Sequence, residues 1–299
     1  MGSGTWTSAS YNTYTKSTRG VDFATFANTN YSAQEMYVSR SLAPVLNPYG
    51  VTRKCHDSEE HPDTLPVILA LDVTGSMGDA SVKVAKKLNE IMTDLYADKS
   101  IKDIEFCIMG IGDLSYDDAP IQMSQFESDV RIAEQLDKIY FEAGGGGNKF
   151  ESYTAAWYMG VNHCELHCWN RGKKGIIITM GDEGPNPYLP QLGLSNVTGD
   201  KLQDDIETKD LYPEVIEKYD VYHISVDDRS SSYQYHKTHS GIDEKWRDLL
   251  GENYFVSSLD NLAQTITSII KDREANTAWN TTIASSPGLQ VNENNEVTW

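Results

Sequence analysis

Asp72, Thr74 and Ser76 stand at alternate positions in the stretch DVTGSMG, so a carboxylate and two hydroxyls leave the chain close together. Hard oxygens of this kind suit a hard divalent cation, which for Mg²⁺ means about six oxygens near 2.0–2.1 Å. Gly75 and Gly78 let the backbone turn tightly beneath the three side chains. A plainer role is helix capping, because Ser76 is followed three residues on by Asp79, an acid suited to a helix's positive end. Two later stretches add glycines and oxygens. One is GGGGNKFES, with Asn148, Glu151 and Ser152; the other is GDEG, with Asp182 and Glu183.

The elements that would position these residues are read from periodicity. Leu65–Val73 is a nearly continuous apolar run, as for a strand covered on both faces. Val84, Leu88, Ile91 and Leu95 then recur at helical spacing. Ile104–Gly112, Gly175–Met180, Val221–Val226 and Tyr254–Val256 read as further strands, and Ala119–Gln125 as a short edge strand. Helices are expected over Val130–Ile139, Glu151–Trp169, Asp200–Thr208, Pro213–Tyr219, Asp243–Leu250 and Asp260–Asp272. Alternation of this kind predicts an α/β fold: three layers, with a doubly wound, mostly parallel sheet between helices. Ligands in such sheets sit beyond the carboxyl ends of the strands. Asp72–Ser76, Gly112-Asp113 and Gly181–Glu183 lie at those ends. Asp113 reads as a solvated loop acid, with a supporting role at the site as the alternative. Residues 1–63, rich in Ser, Thr, Asn and Tyr, are expected to form an extended, partly ordered arm with a short helix around Ser32–Ser41. Residues 64–274 form the main domain and 275–299 a polar tail.

Asp-x-Thr-x-Ser after a core strand resembles the metal-ion-dependent adhesion site of a von Willebrand factor type A (VWA) domain, whose usual form is Asp-x-Ser-x-Ser. The resemblance covers about residues 64–274 and implies the VWA/Rossmann-like version of the fold. It implies Thr74 and Ser76 as direct ligands, with Asp72 and Asp182 acting through bound water and Glu183 as the fallback for Asp182. The second loop departs from the family's Gly-Gly-Thr. Counting back from Ala156 places Glu151 at the threonine position, with Ser152 and Asn148 as alternatives. The implied cofactor is Mg²⁺, with Mn²⁺ or Ca²⁺ as alternatives. The implied function is non-enzymatic: a protein-binding module whose metal face docks a partner, such as an AAA+ ATPase or another complex subunit, as in intracellular microbial relatives.

Other chemistries fare worse. The glycine run is no phosphate loop, since Lys149 follows Asn148 and Phe150 stands where Ser or Thr belongs. A haloacid-dehalogenase phosphatase would need a second acid at Thr74. A structural subunit that has lost its metal function is a further alternative. His163, Cys164, His167 and Cys168 have zinc-like spacing on a helix, yet they share the stripe that Ala156 and Gly160 would bury. The net charge of −19 repels phosphate backbones and anionic membranes, which argues against both as partners. No apolar run reaches the roughly 18 residues of a membrane helix. The first twenty residues lack a signal peptide's apolar core, and four cysteines suit a reducing cytoplasm. The aromatic arm (Trp6, Tyr11, Tyr14, Phe23, Phe26) is expected to strap the domain's own surface, with a partner motif as the alternative.

Overall fold

The computed structural model describes residues 4–101, 103–142, 150–227 and 231–285, with short strands at 290–291 and 297–298; side chains at 231–233 and beyond 277 are not described. Six strands form the central sheet: β1 (Leu65–Asp72), β2 (Ile104–Ile111), β3 (Ile121–Met123), β4 (Gly175–Gly181), β5 (Tyr219–Val226) and β6 (Tyr254–Ser257). Their spatial order is β6-β5-β4-β1-β2-β3, and every pairing is parallel except β2 with β3.

All eight residues of β1 are buried, which explains the unbroken apolar run. Its alternate side chains divide between two cores. Val67, Leu69 and Leu71 pack with the helices Gly78–Ala97 and Leu262–Ser285. Ile68 and Ala70 pack with Ala155–Asn162, Thr208–Lys218 and Ile242–Leu250 on the other face. The chain winds from β1 through β2 to β3 in one direction, and from β4 through β5 to β6 in the other. The order therefore reverses between β1 and β4, and a crevice opens there at the strands' carboxyl ends.

Several expected elements differ. The arm is helical rather than extended: Ser8–Arg19, Phe23–Asn28 and Ala33–Met36 are capped by Thr7, Asp22 and Ser32. Its first helix buries Tyr11 and Thr15, one turn apart, which is too little apolar periodicity to show in a polar segment. The expected helix Glu151–Trp169 is confined to Ala155–Asn162, because Cys164–Leu166 pairs in parallel with Arg53–Cys55, a partner too distant in sequence for local pattern to show. Asp200–Thr208 is not helical; Ile206-Glu207 pairs with Tyr188-Leu189, and the next helix starts at Thr208 with Pro213 inside it. The last helix runs on to Ser285, eleven residues into the expected polar tail that begins at 275. The helices Gln191–Thr198 and Ser231–Ser240 were not expected.

Candidate metal centre

Asp72 ends β1 fully buried, and donors surround its carboxylate. Oδ1 accepts the Thr74 N–H at 2.9 Å and the Thr74 hydroxyl at 2.6 Å, while Oδ2 accepts the Tyr153 hydroxyl at 2.7 Å. Thr74 Oγ1 lies 3.5 Å from Ser76 Oγ, and Ser76 Oγ donates to Asp182 Oδ1 at 3.1 Å. Side chains from the ends of β1 and β4 thus form one connected set across the crevice. Thr74 and Asp182 are buried; Ser76 is exposed and opens the set to solvent. Ser76 is not the cap of the helix Gly78–Ala97: it lies inside a short 3₁₀ turn, Gly75–Met77, and the helix's cap residue is Met77.

Glu151 reaches this region through a two-residue parallel pairing with Gly184-Pro185. Its carboxylate is buried, and Oε2 has no hydrogen-bond partner. Burial, then the charges of Asp72, Asp117, Asp113 and Asp182, push its carboxyl up to about 10. Burial and the neighbouring Asp182 raise Asp72 to about 7. Asp113 is buried, not solvated: Oδ1 accepts the Ser115 N–H at 2.7 Å and Oδ2 is unpartnered. Asp117 takes the Asp113 N–H at 2.6 Å.

Glu183 faces His236, with Nε2 at 3.1 Å from both carboxylate oxygens, so it is engaged elsewhere than Asp182. Ser152 Oγ accepts the Leu114 N–H at 3.0 Å and ties the second loop to the end of β2. Asn148 and the glycine run lie outside the described residues. Because the helix starts at Ala155, Thr154 does precede it. Its hydroxyl, however, is held by Asn186 Nδ2 at 2.6 Å and lies 3.3 Å from Thr208 Oγ1.

Two contributors escaped the sequence reading. Tyr153, fully buried, donates to Asp72 and accepts the Glu183 N–H at 3.3 Å. Gly181 makes that possible, since a Cβ there would fall 2.0 Å from the Tyr153 hydroxyl.

The donor set fits a hard divalent ion. It is entirely oxygen, with two hydroxyls in front and buried acids behind whose mutual repulsion a cation would relieve. Among the described residues no group of three or more His, Cys, Asp or Glu side chains is arranged to hold a metal, so Thr74 and Ser76 are indispensable to this reading. The zinc-like quartet is dispersed. His163 Nε2 meets Asp200 at 2.7 Å, His167 Nδ1 accepts the Asp57 N–H at 3.1 Å, and Cys164 and Cys168 are buried free thiols.

Strand order, the antiparallel edge and the oxygen-lined switch point together define a VWA-like α/β fold. No family model matches the chain, and no curated protein matches it. Solved structures do. The open conformation of the pilus adhesin SpaC from Lactobacillus rhamnosus GG superposes with a TM-score of 0.50 at 13% identity, over 76% of this chain and 31% of that one. Proximal thread matrix protein 1 from the mussel byssus, in a form with a zinc-occupied MIDAS motif, gives 0.42 at 11% identity, over 69% and 47%. The chain spans about a third of the adhesin and half of the byssus protein. The first likeness speaks to fold alone, and the second is too loose to argue from.

Proposed function

We propose that this protein is a non-enzymatic, divalent-metal-dependent protein-binding module. The observation that carries the reading is the contact of Thr74, Ser76 and Asp182 across the switch point, backed by buried Asp72 and Glu151. Thr74 and Ser76 would hold Mg²⁺ directly, with Mn²⁺ or Ca²⁺ as substitutes; Asp72 and Asp182 would act through water, and Glu151 would stand in for the usual threonine. A bound ion supplies a Lewis-acidic point that attracts an oxygen ligand from outside. This chain's residues do the rest: Tyr153 and Thr74 orient Asp72, and exposed Ser76 leaves an approach for a partner carboxylate.

Glu151 tempers the design, because an anionic neighbour lowers the ion's pull on an incoming acid. The partner would be a subunit of an intracellular complex, an AAA+ ATPase being one such class. Four free, buried cysteines support a reducing, cytoplasmic setting. Thr74, where an acid/base carboxylate would be needed, argues against a phosphohydrolase.

Isothermal titration with Mg²⁺ and Mn²⁺ tests the reading. Ser76→Ala and Asp182→Ala should each weaken binding at least about tenfold, as disrupting a metal's oxygen shell does. Unchanged affinity in both would leave a structural subunit without metal function. Phosphatase activity lost in Asp72→Asn would overturn the non-enzymatic assignment.

A further inference from the structure

The middle of the arm passes the proposed metal face. Its helix Ala33–Met36 sits so close to the start of Gly78–Ala97 that a Cβ added at Gly78 would lie 3.1 Å from the Ala33 Cβ. A cavity of about 280 Å³ lies between the two segments. One wall is Ser32, Ala33 and Gln34, and the opposite wall is the Ser76 loop and Asp79, with Phe141 also lining it. Ser32, Gln34, Ser76 and Asp79 are exposed, so the cavity opens where solvent reaches the metal centre.

This wall is fixed, not draped. Tyr37 is buried, stacks on Phe141 with ring centroids 6.0 Å apart, and donates its hydroxyl to the Ser81 carbonyl at 2.8 Å. Arg19 ties the carbonyl of Met36 to Asp137. Ser39 reaches the Lys138 carbonyl at 3.0 Å.

We propose that Ser32–Gln34 form half of the partner-docking surface, so that a ligand reaching the ion at Ser76 also touches the arm. The inference rests on the metal-dependent reading above and adds a specificity-determining wall to it. Chemistry narrows the occupant. Asp79 lines the opening, Glu35 bonds the lining residue Ser32, and the chain as a whole carries −19, so a stretch of several acids is repelled. A basic segment presenting a single carboxylate suits both the cation and its surroundings. The Gln34 amide offers a neutral donor to that segment as it enters. Ser32 is less free, because its hydroxyl already donates to Glu35 at 2.9 Å.

The probe is a fluorescein-labelled basic peptide bearing one glutamate, with its glutamine analogue as control, titrated by anisotropy into the full-length Mn²⁺-loaded protein. Binding should require both Mn²⁺ and the glutamate. Gln34→Ala should weaken it about fivefold, as loss of one hydrogen bond does, and Gln34→Glu about tenfold or more through charge repulsion. Gln34 is exposed, so neither variant threatens folding, and Mn²⁺ affinity measured by calorimetry should not fall in either. Wild-type peptide affinity in both Gln34 variants, with binding still abolished by EDTA, overturns the arm's role and leaves the metal reading standing. Absence of Mn²⁺-dependent, glutamate-dependent binding to the wild type overturns both.

Discussion

Asp72 is an acid held on both carboxylate oxygens. Three donors fix its two oxygens, yet burial and Asp182 still hold its carboxyl near neutrality. Tyr153→Phe deletes one of those donors and changes nothing in the shape of the core. With the Glu183 N–H losing its acceptor as well, we expect a loss of about 1–3 kcal/mol in stability and a roughly tenfold weaker Mn²⁺ affinity, as for other partners that orient a ligand. Urea unfolding and calorimetry measure the two effects separately; metal affinity at the wild-type level would make Tyr153 a packing residue only. Glu151 should behave oppositely in the two assays. Its Oε2 is buried without a partner among like charges, so Glu151→Gln should raise the melting temperature of the metal-free protein while lowering its affinity for Mg²⁺. A lower melting temperature without metal would mean that the repulsion is not what governs this site.

Elements carry the next set of effects. β4 ends in Gly181 because the Tyr153 ring passes over it, so Gly181→Ala forces the ring away from Asp72. Overpacking of that sort costs about 1–3 kcal/mol, and the metal affinity should fall with it, as thermal melts with and without Mg²⁺ would show. On β2, Glu105 is buried with Oε2 unpartnered, and burial raises its carboxyl to about 7. A folded-state value above the unfolded one means that the folded chain holds the proton more tightly. Glu105's contribution to stability is therefore greatest at low pH, declines between about 4.5 and 7, and levels off above that. Glu105→Gln should flatten this decline and stabilise the protein at pH 8, by roughly 3 kcal/mol for a carboxyl raised from 4.5 to about 7; equal pH profiles in urea unfolding would refute it. The sequence made β1, β2, β4 and the helix Gly78–Ala97 legible because each buries a continuous run or a regular stripe. That Thr74, Ser76 and Asp182 would meet was legible for a related reason, since strand ends in alternating folds converge. Tyr153 and Gly181 were not. Their roles depend on one ring crossing one strand end, a contact that leaves no periodic trace. The pairing of Cys164–Leu166 with Arg53–Cys55 was hidden for the same reason, being set by tertiary context and not by local pattern.

At the scale of the whole molecule, the arm is what the sequence most undersold. Expected as an extended and partly ordered strap, it contributes Trp6, Tyr11, Phe26, Met36 and Tyr37 to the same core as β1. Three of its aromatic side chains bond along one line of the helix Gly78–Ala97: Tyr37 to the Ser81 carbonyl, Tyr11 to the Ala85 carbonyl and Trp6 to Asn89 Oδ1. Positions 81, 85 and 89 are successive turns of one face, and that helix begins directly after the loop that carries Thr74 and Ser76. The arm therefore braces the helix into which that loop leads, and the strap expectation holds in a stronger form. Each fully buried large side chain contributes about 1.5–3 kcal/mol, so the five together rival the roughly 5–15 kcal/mol by which a whole domain is stable. Removing residues 1–41 should leave a chain that does not fold cooperatively. Tyr37→Ala offers a graded version, with an expected loss of about 3–5 kcal/mol, against about 1 kcal/mol for Tyr37→Phe, which keeps the ring and loses only the bond to Ser81. Urea unfolding followed by tryptophan fluorescence reads both. If the truncated chain unfolded in a single sharp transition within a few degrees or tenths of molar urea of the full-length protein, the arm would be a detachable appendage, and the domain's stability would have to come from the sheet and its two helical layers alone.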